Sequence, residues 1–163
     1  MKTKKAYLIS TGLHDESTST YIDNIKLVLA ALGYEVFNTS EYLYSKLYLD
    51  KNETSTERIL IDEKIKESDL IVEFARGSDA YNKRLKEPRT EYELSISKQQ
   101  KKPIIILFPY FRANKVEFDN LSEEKKKALL DGIPTNNGKN ILIKSIQQLY
   151  EAVNAIENYL NKK

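Results

Sequence analysis

Short apolar runs alternate with segments of helical periodicity along the chain, and this alternation limits the possible folds more than any other sequence feature. The apolar runs predict five strands, which span residues 5–10, 34–37, 69–74, 104–108 and 140–143. Parallel strands need long crossover connections, and the helical segments between the runs can provide them. We therefore expect an α/β fold, a flavodoxin-like or Rossmann-like three-layer sandwich whose five-stranded, mostly parallel sheet has the order 2-1-3-4-5.

The predicted helices each have one apolar face. The first helix repeats four apolar residues at helical spacing and ends at a glycine: Ile22, Ile25, Leu29, Leu32 and Gly33. Two further helices are predicted over 56–68 and 123–131. The last helix, from residue 145 onward, has a continuous apolar face formed by Ile146, Leu149, Tyr150, Val153, Ile156 and Leu160.

Three polar stretches are predicted as loops, at 13–20, 38–56 and 75–88, with one possible helical turn around 42–49. Residues 92–96 are ambiguous, because their apolar side chains alternate as in a strand while Tyr92 and Ile96 also have helical spacing. We predict a helix there. A strand would stand next to the strand at 104–108 without the crossover that parallel pairing needs.

Composition excludes several classes of function. The 163 residues suffice for one domain, 1–163, without a linker or repeat, and the net charge of +2 gives no argument for nucleic acid as a partner. The chain has no cysteine and a single histidine, so we expect no metal site and no cofactor. No membrane-spanning run or signal-peptide core is present, and we expect a cytoplasmic protein without a membrane partner.

Glu93 is the main candidate for chemistry. It is predicted in the first turn of a helix that leads into the apolar strand at 104–108, where the helix N-terminus would keep its carboxylate ionised. An ionised carboxylate beside a pocket can act as a nucleophile. The alternative is structural, because Thr90 and Glu93 also fit the S/T-x-x-E capping box at a helix start.

The motifs that are missing narrow the choice of reaction. The chain has no P-loop, no G-x-G-x-x-G and no G-x-S-x-G, and its five glycines form no phosphate-binding loop. Carboxylates, tyrosines and hydroxyl groups remain at the predicted carboxyl ends of the strands. Carboxylate chemistry without a metal points to the cleavage of glycosidic bonds.

The order of five segments resembles the nucleoside 2-deoxyribosyltransferase-like family over nearly the whole chain. These segments are YLIS, GYEVF, SDLIV, the Thr-x-x-Glu that ends at Glu93, and KKPIIIL. The resemblance implies that Glu93 is the nucleophile that holds the sugar covalently and that Tyr7 orients it. It also implies a nucleoside or nucleotide substrate. Because members of this family take a site residue from a neighbouring subunit, it further implies a homo-oligomer.

Four residues around this motif are candidates for substrate binding: Asp62, Glu87, Arg89 and Thr90. Arg89 stands where the family has a glycine, and Glu87 where it has an aspartate. Asp62 lies one helical position from the family's aspartate, a rotation of about 100°. A guanidinium at position 89 could bind a substrate phosphate, which would favour a nucleotide, or it could pair with Glu93 or Glu87.

A second resemblance gives an alternative. YLIS followed by His14 and Asp15 is similar to the opening motif of TIR domains, and KIKESDLIV is similar to their AI-x-x-S-x-x-IV. This resemblance implies cleavage of NAD at its nicotinamide bond, so that both families break an N-glycosidic bond with a glutamate. A third possibility is a non-catalytic module on the same fold that senses a nucleotide or binds a protein.

Overall fold

The computed structural model describes residues 3–10, 16–38, 54–74, 88–107, 139–143 and 145–162. Within these ranges the strands are β1 (Lys4–Ile9), β2 (Tyr34–Asn38), β3 (Leu70–Phe74), β4 (Ile104–Leu107) and β5 (Asn140–Ile143). The helices are α1 (Glu16–Ala31), α2 (Thr54–Glu67), α3 (Pro88–Gln99) and α4 (Gln147–Asn161). None of these helices is long and apolar enough to cross a membrane.

The five strands form one sheet in the order β2-β1-β3-β4-β5, and all four pairs of neighbours are parallel. The predicted fold class and strand order are thus confirmed. From β1 the chain passes to β2 on one side and later to β3 on the other. In open α/β sheets, ligands bind at the carboxyl ends of the strands where the strand order reverses. Here that position lies between β1 and β3.

Side chains that alternate along the strands form two apolar clusters, one on each face of the sheet. On one face of the sheet, Ala6, Leu8 and Val72 belong to a cluster with apolar residues of α1 and α4. On the other face, Tyr7 and Ile9 belong to a second cluster with residues of α2 and α3. Because successive strand residues point to opposite faces, Tyr7 is directed toward α2 and α3.

The first loop prediction was partly wrong, because residues 16–20 belong to α1. Serine and threonine disfavour a helix interior by only a few tenths of a kcal/mol, and packing overrides so small a preference. Tyr21 stacks on Phe74 at the end of β3, with ring centroids 5.2 Å apart. This contact anchors the first turns of α1 on the sheet. The helix ends at Ala31, just before the predicted stop at Gly33, whose φ of 90° favours glycine.

The apolar face predicted for the last helix is narrower in the structure. Four residues of α4 are buried, namely Leu149, Ala152, Val153 and Ile156. Tyr150 and Leu160 are exposed. One residue turns a helix by about 100°, so a side chain next to a buried one can point into solvent. The predicted helix at 123–131, the helical turn at 42–49 and most of the two longer loops lie outside the described residues.

Candidate active site

Tyr7 and Glu93 meet between the central strand and helix α3. The Tyr7 hydroxyl donates a hydrogen bond to the Glu93 carboxylate. Both side chains are buried, with 1% of Glu93 exposed. The Tyr7 ring packs on Phe37 of β2, with ring centroids 5.8 Å apart. The sheet thus fixes the hydroxyl, and the hydroxyl fixes one oxygen of the carboxylate.

Helix α3 begins earlier than predicted, and this changes the environment of Glu93. It starts at Pro88, a residue that suits the first turn of a helix because it has no N–H to leave unpaired. Glu93 therefore lies in the second turn, and Thr90 is already inside the helix. The capping-box interpretation was wrong, since a capping threonine must precede the first turn. The helix dipole acts mainly within that first turn and supports Glu93 less than expected.

Arg89 supplies a positive charge close to Glu93. Its Nε lies 3.5 Å from the Glu93 Oε1 atom, and 17% of the arginine side chain is exposed. Its Nη2 donates to the main-chain oxygen of Ser10, 3.3 Å away, directly after β1. The guanidinium therefore connects the end of the central strand to the carboxylate. It compensates the charge of a carboxylate that is shielded from water. Of the two pairings predicted for Arg89, the one with Glu93 is present.

Asp62 lies on α2 and is joined to the residue before Glu93. The Tyr92 hydroxyl donates to the Asp62 Oδ1 atom over 2.7 Å. This hydrogen bond, together with burial, raises the pKa of the Tyr92 hydroxyl. The Arg58 guanidinium lies over the Tyr92 ring, 5.0 Å from its centroid. Asp62 thus connects α2 to α3, and its binding of substrate stays a prediction.

Thr90 and Glu87 are the two remaining residues that were predicted from the sequence to bind substrate. Thr90 is buried on α3, one residue after Arg89. Glu87 lies outside the described residues. The structure therefore brings Tyr7, Arg89 and Glu93 together, and it places Asp62 with Tyr92. Substrate-binding roles for Thr90 and Glu87 stay predictions.

Three buried polar residues near the carboxyl ends of the strands were not among the sequence candidates. They are Ser10, Asn38 and Glu73. The Asn38 Nδ2 donates to the Ser10 Oγ over 3.1 Å, which joins the ends of β1 and β2. A polar residue inside or directly after an apolar strand is the signal that could have identified them. Glu73 is the clearest case, as it interrupts the apolar sequence of β3.

Solved structures share the fold of this chain. No protein-family model matches the sequence. No curated protein matches it either. Among solved structures, the Clostridium botulinum CMP N-glycosidase BcmB aligns with a TM-score of 0.51 and 17% identity, over 93% of this chain and 99% of that one. The 2-deoxyribosyltransferase of the psychrotolerant bacterium Bacillus psychrosaccharolyticus aligns with a TM-score of 0.55 and 18% identity, over 90% of each chain.

These matches define the class of fold. The chain has a nucleoside 2-deoxyribosyltransferase-like fold, and the resemblance noted in the sequence is confirmed at this level. At 17% and 18% identity the likeness concerns the fold, whereas function depends on the residues of the site.

Proposed function

We propose that this protein cleaves or transfers at the N-glycosidic bond of a nucleoside or nucleotide, with Glu93 as the nucleophile. One observation carries the proposal. The buried Glu93 carboxylate receives a hydrogen bond from Tyr7 and faces Arg89, on the side of the sheet where β1 and β3 reverse the strand order. A carboxylate fixed in this way is preorganised for attack on a sugar carbon.

The reaction has two steps. In the first, a Glu93 oxygen forms a bond to C1′ of the sugar, the bond from C1′ to the base nitrogen breaks, and the base leaves with a proton. In the second, water or another base attacks C1′ and releases Glu93 as a carboxylate. Water as the acceptor makes the enzyme a hydrolase, and a base makes it a transferase.

Tyr7 and Arg89 have separate roles in this reaction. The Tyr7 hydroxyl orients the carboxylate before attack and leaves the second oxygen on the side of Arg89. Charge on Glu93 decreases as its bond to C1′ forms, so the guanidinium stabilises the free carboxylate more than the covalent intermediate. Arg89 therefore favours the return of Glu93 as a leaving group in the second step.

The two structural neighbours support the type of bond. One is described as a CMP N-glycosidase and the other as a 2-deoxyribosyltransferase, and both names refer to the bond between a base and its sugar. One neighbour is named for a nucleotide. The proposal for this chain therefore includes nucleosides and their monophosphates.

The test is a release assay with a panel of deoxynucleosides, ribonucleosides, their monophosphates and NAD, with and without a second free base as the acceptor, in which chromatography detects the released base. We expect base release from a nucleoside or monophosphate. Release of nicotinamide alone would favour the NAD-cleaving alternative, and no release from any compound would favour a non-catalytic module.

A pair of variants on one helix tests the nucleophile. Glu93→Gln should abolish release and the covalent sugar adduct detected by intact-protein mass spectrometry. Glu91→Gln removes the same charge from an exposed position on α3 and should leave both unchanged. Equal turnover by the two variants would contradict the assignment of Glu93.

A further inference from the structure

Glu73 places a carboxyl group in β3, a strand inside the sheet. It is the fourth residue of β3, LIVEF, and every residue of that strand is buried. Its exposed fraction is 8%, compared with 0% for Ile9 and 3% for Ile106, its neighbours on the adjacent strands. The neighbouring positions thus hold isoleucines, and Glu73 places a carboxyl group among them. Burial of a carboxyl group is unfavourable unless partners compensate for the lost water.

Strand register places Glu73 on the sheet face that holds the candidate site. Tyr7 is in register with Ile71, and Ile9 is in register with Glu73. Glu73 therefore points to the same face as Tyr7, one strand over and two residues nearer the carboxyl end. Strand spacing and rise put the two Cα atoms about 8 Å apart.

The contacts of α3 with β1 show which part of the sheet this helix covers, and Glu73 can be placed against them through the strand register. Arg89 contacts the main-chain oxygen of Ser10, and Glu93 contacts the hydroxyl of Tyr7. The helix therefore runs antiparallel to β1, and its residues 89 to 93 extend along β1 from Ser10 back to Tyr7. Ile9 lies between these two levels, and Glu73 is in register with Ile9. Glu73 thus lies on the same face of the sheet as Tyr7, at a level along β1 between Ser10 and Tyr7, the two residues that Arg89 and Glu93 contact.

The proposed reaction needs a proton donor, and among the described residues Tyr7, Arg89 and Asp62 are each engaged with another protein group. The Tyr7 hydroxyl donates its proton to Glu93. The Arg89 guanidinium faces Glu93 and donates to the main-chain oxygen of Ser10. Asp62 accepts a hydrogen bond from Tyr92 on the neighbouring helix. A departing base needs a proton, and a second carboxyl group is the usual donor in glycosidic cleavage.

We propose that Glu73 is the second catalytic carboxyl group of this site, an inference that rests on the proposed function. In the first step the Glu73 carboxylic acid transfers its proton to the base nitrogen as the bond to C1′ breaks and Glu93 bonds to C1′. In the second step the Glu73 carboxylate takes a proton from the attacking water, whose oxygen bonds to C1′ and releases Glu93. The sum is a nucleoside plus water giving free base plus sugar, or a nucleotide plus water giving free base plus sugar phosphate.

Two substrates separate proton donation from other roles of Glu73. The first is the best nucleoside or monophosphate from the release assay, whose base needs a proton. The second is the 4-nitrophenyl glycoside of the same sugar, whose phenolate leaves without one. Glu73→Gln keeps the size of the side chain, and single-turnover rates isolate the step that breaks the bond. We expect Glu73→Gln to slow the natural substrate by about 100-fold or more. The nitrophenyl substrate should slow by less than about tenfold.

Mass spectrometry adds a second readout. Glu73→Gln should still form the covalent sugar adduct on Glu93 from the nitrophenyl substrate, whereas Glu93→Gln should form none. Unchanged cleavage of both substrates by Glu73→Gln would overturn the inference. Equal slowing of both substrates would also overturn it, because a residue that only positions Arg89 or Glu93 acts on both.

The wild-type protein provides a test that does not depend on how the variant folds. The single-turnover rate for the natural substrate should fall at high pH as Glu73 loses its proton, and the nitrophenyl substrate should lack this decrease. Identical pH profiles would overturn the inference and leave the proposed function intact. A wild-type protein that is inert toward the whole panel would overturn both.

Discussion

The Arg89 Nε atom lies 3.5 Å from the Glu93 Oε1 atom, one helical turn away on α3. The sequence predicted that the N-terminus of the helix would supply the positive charge near the Glu93 carboxylate. In the structure, the Arg89 guanidinium supplies it. This pairing also bears on whether Arg89 binds a substrate phosphate, because two of the three guanidinium nitrogens, Nε and Nη2, face Glu93 and the oxygen of Ser10. A phosphate contact would have to use the remaining donors of the same fork.

Replacement of Arg89 should show whether it acts mainly by compensating the charge of Glu93 or by binding a substrate phosphate. Arg89→Met keeps much of the apolar stem and removes the charge. We expect a loss of about 1–3 kcal/mol in the free energy of unfolding, because a buried carboxylate loses its compensating charge. Turnover should fall for nucleosides and monophosphates alike. Denaturant titration and steady-state kinetics on both substrate types measure these effects.

The ratio of KM for monophosphates to KM for nucleosides separates the two roles of Arg89. A rise in KM for monophosphates alone would show that the guanidinium binds phosphate, and would contradict a role restricted to Glu93. Arg58→Met is the matched control, because Arg58 lies over the Tyr92 ring on the exposed side of α2. It should leave both kinetic constants close to those of the wild type.

Tyr7→Phe should reduce activity while the fold is kept. The substitution removes the hydroxyl that donates to Glu93 and keeps the ring that packs on Phe37. Hydrogen bonds to charged groups contribute about 1.5–3 kcal/mol, so we expect kcat to fall by about 10- to 100-fold. Single-turnover base release measures the change.

Tyr34→Phe is the control for this substitution. Tyr34 also donates to a glutamate, over 2.8 Å to Glu157 of α4, and it lies at the amino end of β2. The control should lower the free energy of unfolding without changing kcat. If both variants kept full activity, the hydrogen bond between Tyr7 and Glu93 would have no part in the reaction.

The fold could be predicted because its determinants are local and repetitive. Apolar runs such as Ile104–Leu107 and helical faces such as that of Ile22 and Ile25 specify elements one at a time, and the rules for parallel sheets then leave few strand orders. The pairing of Arg89 with Glu93 was among the predictions for the same reason. Residues four apart on a helix lie on one face.

What could not be predicted depends on relations between distant segments. The capping pattern at Thr90 was locally plausible, but a proline two residues earlier begins the helix instead. Glu73 was predicted only as part of a buried strand. Its position on the same face as Tyr7 depends on the register of β3 against β1, which neither strand specifies alone.

Asp62→Asn should separate a structural role from a role in substrate binding. The neutral amide can still accept a hydrogen bond from Tyr92, so we expect the free energy of unfolding to change by less than about 1 kcal/mol. If Asp62 binds the base, the relative rates for different bases should shift, because an amide presents donors where a carboxylate presents acceptors. Competition between pairs of nucleosides measures these relative rates.

Tyr92→Phe is the companion variant for Asp62. It removes the other end of the same hydrogen bond and leaves the carboxylate in place. Loss of stability without any change in base preference would fit a bridge between α2 and α3. Base preferences that stay the same in Asp62→Asn as well would contradict substrate binding by Asp62.

Alkaline pH should weaken the fold through Tyr34. Burial, and then the hydrogen bond to Glu157, raise the pKa of the Tyr34 hydroxyl above its ordinary value of 10. The unfolded chain therefore loses this proton near pH 10 while the folded protein keeps it. The contribution is fully present below pH 10 and decreases as the pH rises toward the folded-state pKa, by at most about 1.4 kcal/mol per pH unit.

The difference between wild type and Tyr34→Phe isolates this effect from the titration of lysines and other tyrosines. Lys4 also contacts Glu157, over 3.2 Å, and both proteins retain that pair. Urea unfolding between pH 8 and pH 11 should show wild type more stable than the variant at pH 8, with the difference becoming smaller above pH 10. A constant difference across the whole range would mean that the Tyr34 hydroxyl titrates alike in the folded and unfolded chains.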